Sequence, residues 1–478
     1  MMTNNVVKSS LLSSILCEFN EVVHSDIVNQ LCRKKSKDFT RKRNMNFYSL
    51  IYYFIFRNKS TTNSELTWFY SSICKFEKRI SKQALNKAIR KMNPNVFVYL
   101  IKKFAKIYYS SKLPKDYKGY YLIAEDGTYV EIPYNVYNAY DFQFCLGKHV
   151  HDIFDVKKIQ SKAGGLYDVI NGLFVDFSMK PAPYSETPLA FEHLYRTQEI
   201  FEGKKVIYLA DRYYGSAEII SHLEYLNYNY VIRGKKYFYK KQVALMKTDD
   251  EWIEVEIDKK WLKRFRFSNE AIQYRKEKPI MRIRVIKKSY EYINQKGEEC
   301  KEELIYFTNL DSEHFSTDEI LQLYAKRWDI EVSYKTLKTT QELERFISED
   351  GDVTRNCVYG KVLFHNIAGI IRKELNNQIS MDSTEEKQYV TNITQLHEVM
   401  YETNFLYSII NGKKSQIKNK IDNIVKMINK IKVPVRPNRH YKRWGRVIIN
   451  PPSYRFRLDG RNNPKVKSFK HILITVAP

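Results

Sequence analysis

Residues 120–133 read YYLIAEDGTYVEIP. An apolar run, then Asp126-Gly127, then a second run over 128–132 closed by Pro133 predicts two strands separated by a turn. Residues 164–179, GGLYDVINGLFVDFSM, carry a third strand pattern, with Asn171-Gly172 as a hairpin turn inside it. PLAFEHLYRTQEIFEG (188–203) reads as a helix ending at Gly203. KKVIYLADRYYGSAEIISHLEYLN (204–227) then supplies a buried strand, Asp211, a glycine-containing loop and a helix. YNYVIRG (228–234) is a further strand, ending near Arg233.

A hairpin meander followed by a crossover to a parallel strand matches an α/β, ribonuclease-H-like plan. In such a sheet the first and fourth strands are parallel neighbours, about 4.8 Å apart. Asp126 ends YYLIAE and Asp211 ends VIYLA, so both carboxylates are expected side by side at one edge, where α/β sheets favour ligand sites. Taken singly, each Asp also suits a turn or a helix cap.

A third carboxylate stands in YAKRWDIEVSYKTLK (324–338). Read as one helix, this stretch puts Tyr324, Arg327, Glu331, Lys335 and Lys338 on one stripe and Leu323, Ile330, Tyr334 and Leu337 on a neighbouring arc. One face packs; the other sets a single carboxylate among cations. Two readings are open: a metal-binding carboxylate beside phosphate-gripping cations, or i,i+4 ion pairs of Glu331 with Arg327 and Lys335.

The 478 residues carry 80 Lys+Arg against 54 Asp+Glu, a formal net charge of +26. Length implies two to four domains. The charge calls for a polyanionic partner, nucleic acid first and an anionic membrane second, although part of the excess reflects residue usage. No apolar run reaches the roughly 20 residues that span a bilayer. Cys17, Cys32, Cys74, Cys145, Cys300 and Cys357 are scattered without a CxxC pair, against a zinc site or disulfide framework. With no signal-peptide pattern, a soluble protein of a reducing cytoplasm is expected.

Residues 1–112 read as helical, with apolar patterns over 25–31, 47–56 and 95–109. CRKKSKDFTRKRN (32–44) is strongly basic, and ISKQALNKAIRKMNP (80–94) has Ser81 as N-cap. Lys82, Lys87, Arg90 and Lys91 make the latter either a recognition helix or an ordinary basic amphipathic helix. Residues 235–303 are charged and strand-rich (WIEVEI, KRFRF, MRIRVIKK, SYEYI, with Lys296-Gly297 in a turn) and read as a β-rich insertion. The core resumes with ELIYFTNL, and Ser316-Thr317-Asp318 starts the next helix. The helix over 357–375 carries His365 as a core histidine, and further helices reach about 432. The basic tail 433–478 interleaves Tyr441, Trp444, Tyr454 and Phe456, suiting either phosphate gripping with base stacking or disorder.

Asp126, Asp211 and Glu331 together suit two divalent cations, because hard ions such as Mg²⁺ prefer carboxylate oxygens and paired ions promote phosphodiester cleavage. The sequence here resembles a known family. Tyr324-x2-Arg327-x3-Glu331-x6-Lys338 is similar to the YREK signature of the insertion-sequence DDE transposases of the IS-four family. Asp126-Gly127-Thr128 resembles the DGT context of that family's first Asp, and YLADRYYGS that of its second. RWDIEVSYKTLK departs from the usual pattern in having Tyr334 for Phe.

The resemblance spans about residues 118–376. It implies cut-and-paste DNA transposition: binding of terminal inverted repeats, water attack that frees a 3′-hydroxyl, and joining of that end to target DNA. Asp126, Asp211 and Glu331 would be the catalytic, metal-holding residues, with Mg²⁺ or alternatively Mn²⁺. Tyr324, Arg327 and Lys338 would contact phosphates, with Trp328 stacking on a displaced base or packing; beyond the signature, Lys335 and Arg233, and Arg90 and Lys91 of the basic helix over 80–94, are expected as further DNA contacts. A homodimer bridging two ends of double-stranded DNA and a bacterial, nucleoid-associated cytoplasmic location follow. The organisation expected is a helical DNA-binding domain (1–112), a ribonuclease-H-like catalytic domain (113–376) interrupted by the β-rich insertion (235–303), a helical C-terminal region (377–432) and the basic tail. A nuclease of the same fold without strand transfer, or a non-catalytic DNA-binding protein, is the alternative.

Overall fold

Strand β1 (Tyr120–Ile132) is the thread on which the molecule is assembled. The computed structural model describes residues 2–435 apart from 59–60, 74, 134–137, 139–140, 143–158, 236, 294–298, 349, 382–387, 403–404 and 429. The tail beyond 435, the 296–297 turn, Cys74 and Cys145 therefore lie outside the described residues. β1 runs unbroken through Asp126-Gly127, which corrects the turn expected there. Gly127 stands opposite Gly164 of β2 (Ile159–Asp168) in the antiparallel ladder. Its φ lies outside the left-handed region that a tight Asp-Gly turn requires, so the paired glycines leave the ladder intact. The second expected turn does form: Gly172, at φ 73°, leads β2 into β3 (Leu173–Pro181).

On its other side β1 pairs in parallel with β4 (Lys205–Ala210), as the sequence order predicts, and β4 pairs in parallel with β5 (Asn229–Arg233). The strands of the 235–303 region do not form a separate sheet. β6 (Asp250–Glu256), β7 (Ile280–Ile293) and β8 (Glu299–Thr308) extend the same one, in the order β3-β2-β1-β4-β5-β8-β7-β6. β8 joins β5 at Val231↔Thr308, Ile232↔Phe307 and Arg233↔Tyr306.

Helices α1 (Met2–His24), α2 (Asp26–Cys32), α3 (Phe47–Phe56), α4 (Thr62–Ser72), α5 (Lys82–Ile89) and α6 (Asn95–Ser110) precede the sheet. Ser25, Asn46, Thr61 and Ser81 cap α2 to α5, each accepting a backbone N–H three residues on and so satisfying a donor the helix cannot. α7 (Glu186–Phe201) makes the crossover from β3 to β4, and α8 (Ala217–Tyr225) that from β4 to β5. Three short helices follow: α9 (Lys240–Ala244), α10 (Lys259–Leu262) and α11 (Asn269–Glu277). KRFRF (263–267) is loop rather than strand. The Glu218 carboxylate accepts the N–H groups of Arg266 (2.8 Å) and Ser268 (3.0 Å), which a strand would have given to a ladder.

α12 (Thr317–Lys326) and α13 (Trp328–Thr339) come next, then α14 (Gly351–Met381), α15 (Ile393–Glu402), α16 (Phe405–Ile410) and α17 (Lys414–Ile428). A two-stranded ribbon pairs Tyr389–Val390 with Val433–Pro434. α6 and α14 both pack on β3, α14 also packs on α3, and α1 packs on α17. One apolar core therefore runs from Leu12 to Ile428 and joins the first helices to the sheet and to the last. Cys17, Cys32 and Cys357 are free thiols. His365 is buried beside Gln341, 3.3 Å from Nδ1, and burial pushes its ring down to about 3, which fits a neutral core histidine. Among the described residues no helix is long and apolar enough to cross a membrane.

Candidate active site

The parallel register sets the first two carboxylates. Glu125 pairs with Ala210, so Asp126 and Asp211 are the next residues along two adjacent strand paths. Asp126 Oδ1 accepts from Gly127 N at 2.9 Å, and Asp211 Oδ1 from Tyr213 N at 2.7 Å. Burial pushes the Asp126 carboxyl up to about 7, against the opposing pull of Arg327. Burial also raises Asp211, and Glu186 adds to the rise.

The third carboxylate arrives on a helix whose entry is pinned. Arg284 is buried in the sheet; its Nε and Nη2 lie 2.8 and 2.6 Å from the Asp250 carboxylate, and its Nη1 donates to the carbonyls of Leu310 (3.3 Å) and Phe315 (2.7 Å). Thr317 donates its hydroxyl to the same Asp250, and Ser316 with Glu319 closes a capping box. These contacts fix where α12 starts.

The single helix expected over 324–338 is two. At Arg327 the backbone tightens: Arg327 N donates to Tyr324 O and Ile330 N to Arg327 O, three residues back in each case. Arg327 keeps helical dihedrals, so the carbon backbone turns without reversing. α13 is then clamped along β1. Tyr334 donates its hydroxyl to Asp126 O at 2.7 Å, and Lys338 Nζ reaches Thr128 Oγ1 (2.9 Å) and Tyr129 O (2.6 Å). Glu331 is thereby held on the Asp126 side of the edge.

Arg327 lies between the carboxylates. Its Nη2 is 2.7 Å from Glu331 Oε1 and its Nη1 is 3.7 Å from Asp126 Oδ2, and it is 8% exposed. The i,i+4 alternative is thus realised on one side: Glu331 pairs with Arg327, whereas Lys335 is exposed and makes none of the described ion pairs. Arg327 prevails because a buried guanidinium at the break can serve two carboxylates at once. Tyr324 packs its ring 4.9 Å from that of Tyr306, with the Arg327 guanidinium 5.5 Å from it. Trp328 is 59% exposed beside the site. Arg233 is tied to Glu302 at 3.0 Å. Arg90 and Lys91 lie at the end of α5 among the first helices and share no described hydrogen bond or ion pair with this edge.

Four groups near the edge escaped the sequence reading. Glu186, in the first turn of α7, pairs with Lys162 of β2 at 2.7 Å. Behind Asp126, Glu125 Oε1 lies 2.8 Å from His193 Nδ1, both residues fully buried. Only the Tyr129↔Lys162 cross-strand register and the fold of α7 over the sheet bring these groups here, and neither is visible in the sequence.

Among the described residues no three His, Cys, Asp or Glu side chains are drawn into a ready metal cage. The donor chemistry nonetheless fits a hard cation. Asp126 and Asp211 offer only oxygen, and burial makes their charge costly unless a positive partner is supplied. Arg327 is the partner present.

A family model described as Transposase DDE domain matches residues 119–367, just over half of the chain. No curated protein matches. Among solved structures, the chain is similar to a piggyBac transposase in its synaptic complex with hairpin DNA, solved by cryo-EM, at 10% identity over 86% of this chain and 85% of that one. The TM-score is 0.41, too low to add to the family assignment. The matched segment begins at β1 and ends within α14, enclosing both strand-end aspartates and the whole of α13: the chain belongs to the transposases with a DDE domain.

Proposed function

We propose that this transposase performs metal-dependent cut-and-paste transposition of an insertion sequence, with Asp126, Asp211 and Glu331 as its catalytic carboxylates on a ribonuclease-H-like core. The observation that carries the reading is the β1–β4 register, which sets Asp126 beside Asp211, together with the clamping of the Glu331 helix onto the same strand by Tyr334 and Lys338. The spacing of Tyr324, Arg327, Glu331 and Lys338 supports placement in the IS-four family. Mg²⁺, or Mn²⁺ in its place, would be held by the three carboxylates and would activate the attacking water or 3′-hydroxyl and stabilise the leaving oxygen.

The residues of the chain divide the remaining work. Arg327 stabilises the cation-free edge and turns to a DNA phosphate when its carboxylates are otherwise satisfied; a planar fork suits either partner. Lys338 steadies the strand segment after Asp126 and offers a point charge to the same backbone. Tyr324 and Arg233 line the neighbouring side, Lys335 extends the basic surface along α13, and Trp328 presents an exposed ring for an unstacked base. Arg90 and Lys91, just past α5, are assigned to duplex flanking the cut, and two copies bridge the two terminal inverted repeats.

The test is purified protein with a plasmid carrying the terminal repeats of the element, with and without Mg²⁺. Excision that needs the cation, and that Glu331→Gln abolishes while DNA binding persists, is expected. Undiminished cleavage by Glu331→Gln would sink the assignment, and cutting without end-joining would leave a nuclease.

A further inference from the structure

Glu186 reaches the carboxylate edge from the first turn of a helix rather than from a strand. Its Oε1 lies 2.7 Å from Lys162 Nζ, and the Tyr214 hydroxyl lies 3.5 Å from its Oε2. Gly127, the residue after Asp126, is what admits it. A Cβ at Gly127 would sit 2.8 Å from Glu186 Oε1 and 2.9 Å from its Cδ, closer than side chains approach. The glycine thus serves contact between β1 and this carboxylate, having no turn to make. Tyr214, three residues beyond Asp211, brings the loop that follows β4 to the same carboxylate.

The opposite flank has the same design. There Glu331 is paired with Arg327, a protein cation with little exposure; here Glu186 is paired with Lys162, whose side chain is 7% exposed and whose ammonium lies 3.9 Å from the Tyr129 ring centroid. Between them, among the described residues, Asp126 and Asp211 have backbone donors and only the longer Arg327 contact, at 3.7 Å, to Asp126. Each outer carboxylate is stabilised by its own cation, and the inner pair is left for an added one.

We propose that Glu186 is a fourth carboxylate of the divalent-cation site, on the Asp211 side, held by Lys162 when no cation is bound. This rests on the reading of Asp126, Asp211 and Glu331 given above. The competing role is a plain structural ion pair, and the two roles separate in sign. A carboxylate of the cation site strengthens cation binding, and Lys162 competes with the cation for it. A structural pair contributes to stability alone.

The experiment is Mn²⁺ binding to the full chain without DNA, read by electron paramagnetic resonance, with thermal melting alongside. Glu186→Gln is expected to weaken Mn²⁺ binding roughly 10–100-fold, the range seen when supporting groups of metal sites are lost. Lys162→Met, which frees the carboxylate, is expected to tighten it. Lower melting temperatures in both variants with unchanged Mn²⁺ affinity would overturn the proposal. Should Glu186→Gln fail to fold, Lys162→Met decides, since an affinity equal to or below wild type there contradicts competition. Asp126→Asn separates the two levels: if it weakens binding while Glu186→Gln does not, only the fourth carboxylate fails, and if Asp126→Asn has no effect, the underlying site assignment fails too.

Discussion

The β1–β2 ladder holds two aspartates three rungs apart, and they are built in opposite ways. Asp168, opposite Ile123, is saturated: it accepts from Ile170 N (2.9 Å), Asn171 N (2.7 Å), Asn171 Nδ2 (2.7 Å) and the Tyr109 hydroxyl. Lys373 adds a nearby positive charge. Asp126, a few residues along β1, has one backbone donor and a shared guanidinium at 3.7 Å. Both carboxyls are raised by burial, but at Asp168 the protein supplies the compensating bonds itself. A buried carboxylate with its hydrogen bonds complete holds a turn in place; one left short of partners is prepared for something the fold does not contain.

The largest expected effect breaks this contrast at Asp126. Asp126→Asn should lower DNA cleavage by about 10⁴-fold, on the scale of losing one member of a catalytic unit. The same variant, free of metal at pH 8, should melt no lower than wild type. Three rungs away, Asp168→Ala should cost about 3–5 kcal/mol of stability, because it leaves buried donors unpaired. Denaturant titration reads that cost, and a cleavage defect in Asp168→Ala without a stability loss would erase the distinction.

pH sharpens the comparison. The Asp126 carboxyl is raised from 3.8 to about 7 in the folded chain, so the folded state holds a proton that the unfolded state has already released. Its contribution to metal-free stability is complete below about pH 4 and is lost as pH rises to about 7. Wild type should therefore lose stability relative to Asp126→Asn across that window, while Mn²⁺ affinity climbs through the same range. Parallel melting curves for the two proteins across that window would contradict the assignment. The smallest effect concerns the clamp: Tyr334→Phe removes one hydrogen bond to the Asp126 carbonyl and should lower stability by about 1 kcal/mol and cleavage about fivefold.

Much of this was legible in the residues. The Asn171-Gly172 hairpin, the parallel neighbourhood of the first and fourth strands, and the Ser316 and Ser81 caps follow from local chemistry that the structure keeps. Asp126-Gly127 misled because glycine permits a turn and equally permits close approach, and only its partners Gly164 and Glu186 reveal which. The break at Arg327 was hidden because two helices in succession preserve the same apolar period. Glu186 was hidden for a different reason. It lies sixty residues from Asp126 in sequence, and α7 must first fold over β2 and β3 before the two meet. The resumption of the core at ELIYFTNL was legible, and its strand β8 takes the open edge of β5; that β6 and β7 then extend the same sheet was not, because nothing in their charged pattern says which edge they join.

Iron-directed cleavage of the polypeptide tests the carboxylate site most directly. Fe²⁺ substituted for Mg²⁺ in the full chain, with ascorbate and peroxide, cuts the backbone beside its ligands, and mass spectrometry locates the cuts. Fragment ends near Asp126, Asp211 and Glu331, suppressed by excess Mg²⁺ and lost in Asp126→Asn, are the predicted result. Cuts confined to other parts of the chain, or a pattern unchanged by Asp126→Asn, would contradict it.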